Sequence, residues 1–157
     1  MGKLILTFTL IVFSLSASAK NTTQLTITKD ELNSICKISP NSYEYSEGGF
    51  PFIVNKYKTK VNDSNCGIKT TITVYKYISE SFAENKFSDL ITAHKAINIE
   101  LKPVEGDKYR MKWENSENNK MVFLRKQAEF VFIVAINSNP AYYEKLKLLA
   151  LQKYDQS

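Results

Sequence analysis

The clearest alternation in the chain runs through residues 129–137, where Phe130, Phe132, Val134 and Ile136 face one way and Val131, Ile133 and Ala135 the other. Side chains alternate across a strand, so both faces of this one are apolar. Such a strand belongs in the middle of a sheet with cover on both sides. The neighbouring segments keep one polar face. In residues 68–78, Ile68, Thr70, Ile72 and Val74 share a face, with Lys69, Thr71, Thr73 and Tyr75 opposite. Residues 51–61 form the strand before it, joined through Asn62-Asp63-Ser64-Asn65, residue types that make turns. Residues 97–104 alternate at Ile97, Ile99 and Leu101 and end near Pro103, which suits a strand end or a sheet edge. Tyr109, Met111 and Trp113 alternate with Arg110, Lys112 and Glu114; after a turn at 115–119, residues 120–125 complete a set of about six strands.

Three stretches follow the helical period instead. Thr28 can cap the backbone N–H of Glu31 while Glu31 reaches back, and Ile27 can pack on Leu32, a helix start that must stop before Pro40. Ser79 or Ser81 caps a second helix to about residue 95, with Ala83, Phe87, Leu90 and Ile91 on one stripe. Asn139-Pro140 opens a third, with proline at the first helical position and Leu146, Leu149 and Ala150 facing inward. Residues 42–50, SYEYSEGGF, read as a mobile loop. The order helix, two strands, helix, four strands, helix predicts one α+β domain, a mostly antiparallel sheet with helices on both faces.

The start of the chain belongs to none of this. Lys3, an apolar run over residues 4–15 and Ala17-Ser18-Ala19 have the layout of a secretory signal peptide cut after Ala19. The run is too short for a membrane span, which needs about 20 apolar residues, and no lipidation motif is present. The predicted mature domain is residues 20–157, exported to the periplasm or secreted, with no stable membrane anchor. It keeps 20 basic and 16 acidic residues, a net +4 against +5 for the whole chain. Acidic and basic residues are interspersed, which speaks against a nucleic-acid partner.

Cys36 and Cys66 are the only two cysteines. An even count in an exported chain predicts a disulfide between them. A reactive thiol would want a Cys-x-x-Cys spacing or a cationic neighbour, and two cysteines with one histidine are too few soft ligands for a closed zinc site.

From Gly106 through KYRMKWENSENNKMVFLRKQAEFVFIVAINSNPAYYEKLKLLA, the order of hairpin strands, strongly apolar strand and final helix resembles the closing half of PsbP-like domains. The resemblance implies a sheet-and-helix sandwich and leans towards a non-catalytic accessory or binding module. It carries no family site residues across.

No motif marks a catalytic site, a cofactor or a metal: glycine-rich phosphate loop, nucleophile elbow and metal-spaced cluster are all missing from the sequence. His94 falls at the end of a helical stripe, where a positive charge is favourable. The expectation is a small exported binding or interaction protein of accessory, inhibitor or immunity type; the alternatives are a secreted hydrolase assembled only in three dimensions and a carrier of a small apolar ligand. The candidate partner-binding surface is Tyr45, Phe50, Lys56, Lys58, Tyr75 and Tyr77, aromatics mixed with lysines as in contact surfaces for protein, acidic or glycan partners. Lys56, Lys58 and Lys60 also suit an edge strand guarded by lysines.

Overall fold

The doubly apolar strand lies fourth of seven. A computed structural model describes residues 25–155, and the expected signal peptide with its cleavage point lies outside them. The elements are α1 (Lys29–Asn33), β1 (Tyr43–Phe50), β2 (Ile53–Asp63), β3 (Ile68–Tyr77), α2 (Glu80–Ala96), β4 (Lys102–Val104), β5 (Asp107–Asn115), β6 (Lys120–Gln127), β7 (Phe130–Ser138) and α3 (Pro140–Asp155). They form an α+β fold with one sheet in the order β1-β2-β3-β7-β6-β5-β4, antiparallel at every step.

Two apolar layers sandwich the sheet centre. On one face Phe123, Phe132, Val134 and Ile72 pack with Leu32 of α1 and Tyr143, Leu146 and Ala150 of α3. On the other, Leu124, Val131 and Met111 pack with Ala83 and Phe87 of α2. Each fully buried Leu or Phe contributes about 1.5–3 kcal/mol. The cover on the second face is uneven: α2 packs on β3, β7 and β6, and over Glu44, Ser46, Lys56, Lys58 and Lys60 the α2-side positions of β1 and β2 are polar.

Three expectations change. Among the described residues the strand count is seven, because residues 43–50 form β1 where a loop was expected. Glycines are poor strand formers and hide the alternation of Tyr43, Tyr45 and Glu47; at Gly49 a Cβ would make a tight contact, 3.2 Å from the Val54 carbonyl oxygen. With β1 in place, β2 is an interior strand, so Lys56, Lys58 and Lys60 do not guard a sheet edge. The strand expected over 97–104 shrinks to three residues. Asn98 takes a left-handed φ of 61° and the Ile99 N–H donates to the His94 carbonyl at 2.9 Å, so the chain is still leaving α2 where alternation reads as strand.

The remaining local rules hold. Thr28 and Glu31 form the reciprocal capping box, and Ser79 caps α2. Cys36 and Cys66 are bonded, their Cα atoms 6.1 Å apart. Asp63 fixes the same corner: its carboxylate accepts from the Cys66 N–H at 2.8 Å and the Ser39 N–H at 2.7 Å. Those two N–H groups hold its carboxyl well below the usual carboxylate range. Gly67, at a φ of 61° that favours glycine, offers its carbonyl to the Asn139 N–H at 2.8 Å, and the Asn139 side chain caps α3 through the Ala141 N–H. A structural disulfide points to an oxidising, non-cytoplasmic environment. Among the described residues no helix is long and apolar enough to cross a membrane.

Candidate functional site

The turn between β1 and β2 and the entry to α2 meet at one end of the sheet. There Phe50 is 56%, Phe52 61%, Ile78 57% and Phe82 38% exposed. The Phe52 and Phe82 rings stack with centroids 5.3 Å apart, and the Ile78 N–H donates to the Phe52 carbonyl at 3.4 Å. Phe52 adopts a φ of 68°, a left-handed conformation costing a bulky residue about 1–2 kcal/mol. That is the conformation required of the second central residue in the tight turn between Phe50 and Ile53, where glycine is the usual occupant; here a phenylalanine takes it and is presented to solvent.

The lysines continue this tip along the sheet. Lys56 stands opposite Tyr75 on β3 and Gly48 on β1. Its Nζ lies 5.7 Å from the Phe50 ring centroid and 5.4 Å from that of Tyr75, within cation–π range of both. Lys58 follows on the same face, opposite Thr73 and Ser46.

Of the six residues expected to form a partner surface, four come together: Phe50, Lys56, Lys58 and Tyr75. Tyr77 stacks on Tyr75 at 5.9 Å, but it is 5% exposed and belongs to the α2-side core. Burial, with smaller contributions from Tyr75 and Asp89, pushes its phenol up to about 12. Tyr45 stands opposite Thr59, whose hydroxyl donates to the Ile27 carbonyl, so it lies on the other face of the sheet, away from Lys56. Its hydroxyl donates to Glu47 at 3.3 Å. Phe52, Ile78 and Phe82 were missed. Phe82 carried a signal, since it lies off the Ala83–Phe87–Leu90 stripe of its helix; Phe52 and Ile78 were hidden at element ends.

A second feature is a groove of about 760 Å³ beside the short β4, lined by charged side chains including Glu100, Lys102 and Glu105 together with Trp113 and Glu114. This lining does not suit an apolar ligand. Glu114 accepts from Tyr143 at 2.9 Å and Lys147 at 2.8 Å, and pairs with Lys112 at 3.1 Å. Partial burial would raise its pKa, but these three donors outweigh it and pull the carboxyl down to about 2. That suits a fixed anion and not a proton donor. His94 Nδ1 lies 2.7 Å from the Leu90 carbonyl within its own helix, a contact only an N–H can satisfy. Among the described residues no group of three or more His, Cys, Asp or Glu could hold a metal ion.

No family model, no curated protein and no solved structure matches this chain. The site must therefore be interpreted from its own geometry.

Proposed function

We propose that the chain is a small interaction protein, exported to the periplasm or secreted, that acts as an accessory, inhibitory or immunity-type factor and docks through its aromatic tip. The observation that carries this reading is the tip: Phe50, Phe52, Ile78 and Phe82 stand in water at one end of a domain with two covered apolar layers, and one of them does so on a strained backbone. Clustered exposed apolar side chains rimmed by charge mark contact sites. The partner is another protein presenting an apolar patch bordered by carboxylates, because Lys56 and Lys58 form the rim on the sheet side. The signal-like start, the disulfide and the resemblance of the closing half to PsbP-like domains lean the same way, the last by fold analogy alone.

The test begins with affinity capture from the native compartment by the mature protein and is decided by titrating the purified partner. Interface energy concentrates in a few aromatic anchors, so F52A/F82A should weaken binding about tenfold or more, and K56E by a smaller, salt-sensitive factor. Wild-type affinity in the double variant would remove the tip from the reading.

A further inference from the structure

Strand β1 is one lateral edge of the sheet, and among the described residues nothing pairs with its outer side. Its ladder to β2 runs unbroken from Tyr43 to Gly48. Every second residue of that stretch therefore turns a backbone N–H and C=O outward. Edges of this kind are normally blunted by charged side chains, lysine above all, or by proline, a bulge or a covering element. β1 has no proline, lysine or arginine, and its one irregularity comes after Gly48. The charges it carries are two carboxylates in a chain of net +5: Glu44, opposite Lys60, and Glu47, opposite Tyr57 on the other face.

We infer that this edge accepts an extended, lysine- or arginine-bearing segment of a partner polypeptide as an eighth strand. The inference rests on the interaction-protein reading and deepens it by naming the mode of recognition: main-chain hydrogen bonds supply affinity, and side chains opposite Glu44 and Glu47 supply selectivity. A second copy of this chain is the rival occupant, and charge disfavours it. Two β1 strands laid side by side bring four carboxylates and no lysine or arginine of either strand to the seam. Because β1 ends at Phe50, a strand laid along it runs onto the aromatic tip.

The probe is the synthetic peptide acetyl-TKVTKVT-amide, whose two lysines are spaced like Glu44 and Glu47, with acetyl-TEVTEVT-amide and an alternately N-methylated form of the basic peptide as controls. The readout is amide hydrogen exchange of residues 43–50. The basic peptide should slow exchange there several-fold, the acidic and N-methylated peptides should not, and E44K/E47K should reverse the charge preference; E47K alone serves if the double variant does not fold, since Glu44 pairs with Lys60. No protection by the basic peptide, equal protection by the acidic one, or equal protection by the N-methylated one overturns the inference. So does protection that rises with protein concentration in the absence of peptide, which assigns the edge to a second copy. F52A/F82A separates the two readings: peptide protection that survives in it while partner binding is unaffected leaves the edge standing and the tip refuted. Lost partner binding without any edge protection in the wild type does the opposite.

Discussion

At one side of the sheet β4 contributes three residues including Pro103 and turns back on β5 through Glu105 and Gly106, both at positive φ. At the other, β1 runs for eight residues with an open outer edge and ends in exposed phenylalanines. The faces differ in the same sense. β7 and β6 lie between α3 and α2, whereas β1 and β2 show lysines, a glutamate, serine and glycine on the α2 side. The half that is covered is built for stability. The uncovered half spends exposed aromatic surface and an unguarded edge, which a purely structural domain would suppress.

That contrast is most forcefully tested in the covered half. Phe123 is 1% exposed in the α3-side layer, and Phe123→Ala should cost about 3–5 kcal/mol, measured by urea denaturation. Next comes a covalent tie that holds the open half down. Replacing Cys36 and Cys66 by serine frees a chain segment spanning 30 residues and should cost about 3–4 kcal/mol in the chain-entropy account. Reduction of the native protein should lower Tm comparably, with partner affinity unchanged below the transition.

Glu114→Gln is a smaller change, expected to cost about 1–3 kcal/mol at neutral pH because Tyr143 and Lys147 lose a charged acceptor. The native carboxyl titrates at about 2 against an ordinary 4.5. Its contribution is therefore complete above pH 4.5 and is lost as pH falls towards 2. Stability curves of wild type and variant should converge over that window; parallel curves would show that Glu114 is not held charged by the fold.

At the tip the sign should invert. Phe52→Gly relieves the left-handed backbone, so Tm should hold or rise while partner affinity drops. A clear loss of Tm would make Phe52 a packing residue. The smallest effect belongs to Lys58→Ala: stability within about 0.5 kcal/mol, and a partner affinity less sensitive to salt than that of the wild type.

Much of the covered half was legible because its residues are chosen by burial. β7 had to be central once both its faces were apolar, and Thr28, Ser79 and Asn139 announce helix starts through hydrogen bonds made within three residues. The open half obeys weaker local rules. Gly48 and Gly49 mask β1, and no periodicity distinguishes an edge strand from a loop when neither face is buried. The tip was half legible: Phe50, Lys56 and Tyr75 lie together because they are neighbours across strands in register. Tyr77 shares their alternation, yet α2 covers it, and Tyr45 falls on the far face because β1 exists. Phe52 and Phe82 meet across 30 positions of chain, a tertiary event that composition does not encode.

The pairing of β3 with β7 also sets a clock. It joins Lys76 to Phe130 and Ile68 to Ser138, positions 54 and 70 apart in sequence, and loop-closure entropy must be met before such distant contacts stabilise anything. Topologies rich in non-local ladders fold in milliseconds to seconds and not microseconds. The centre of this sheet is made from the last strand to emerge during synthesis, so a nascent chain can hold its β1–β2 and β2–β3 hairpins but cannot close its core until residue 138 is free. A chain released gradually, N-terminus first, stays pliable until nearly all of it has been delivered.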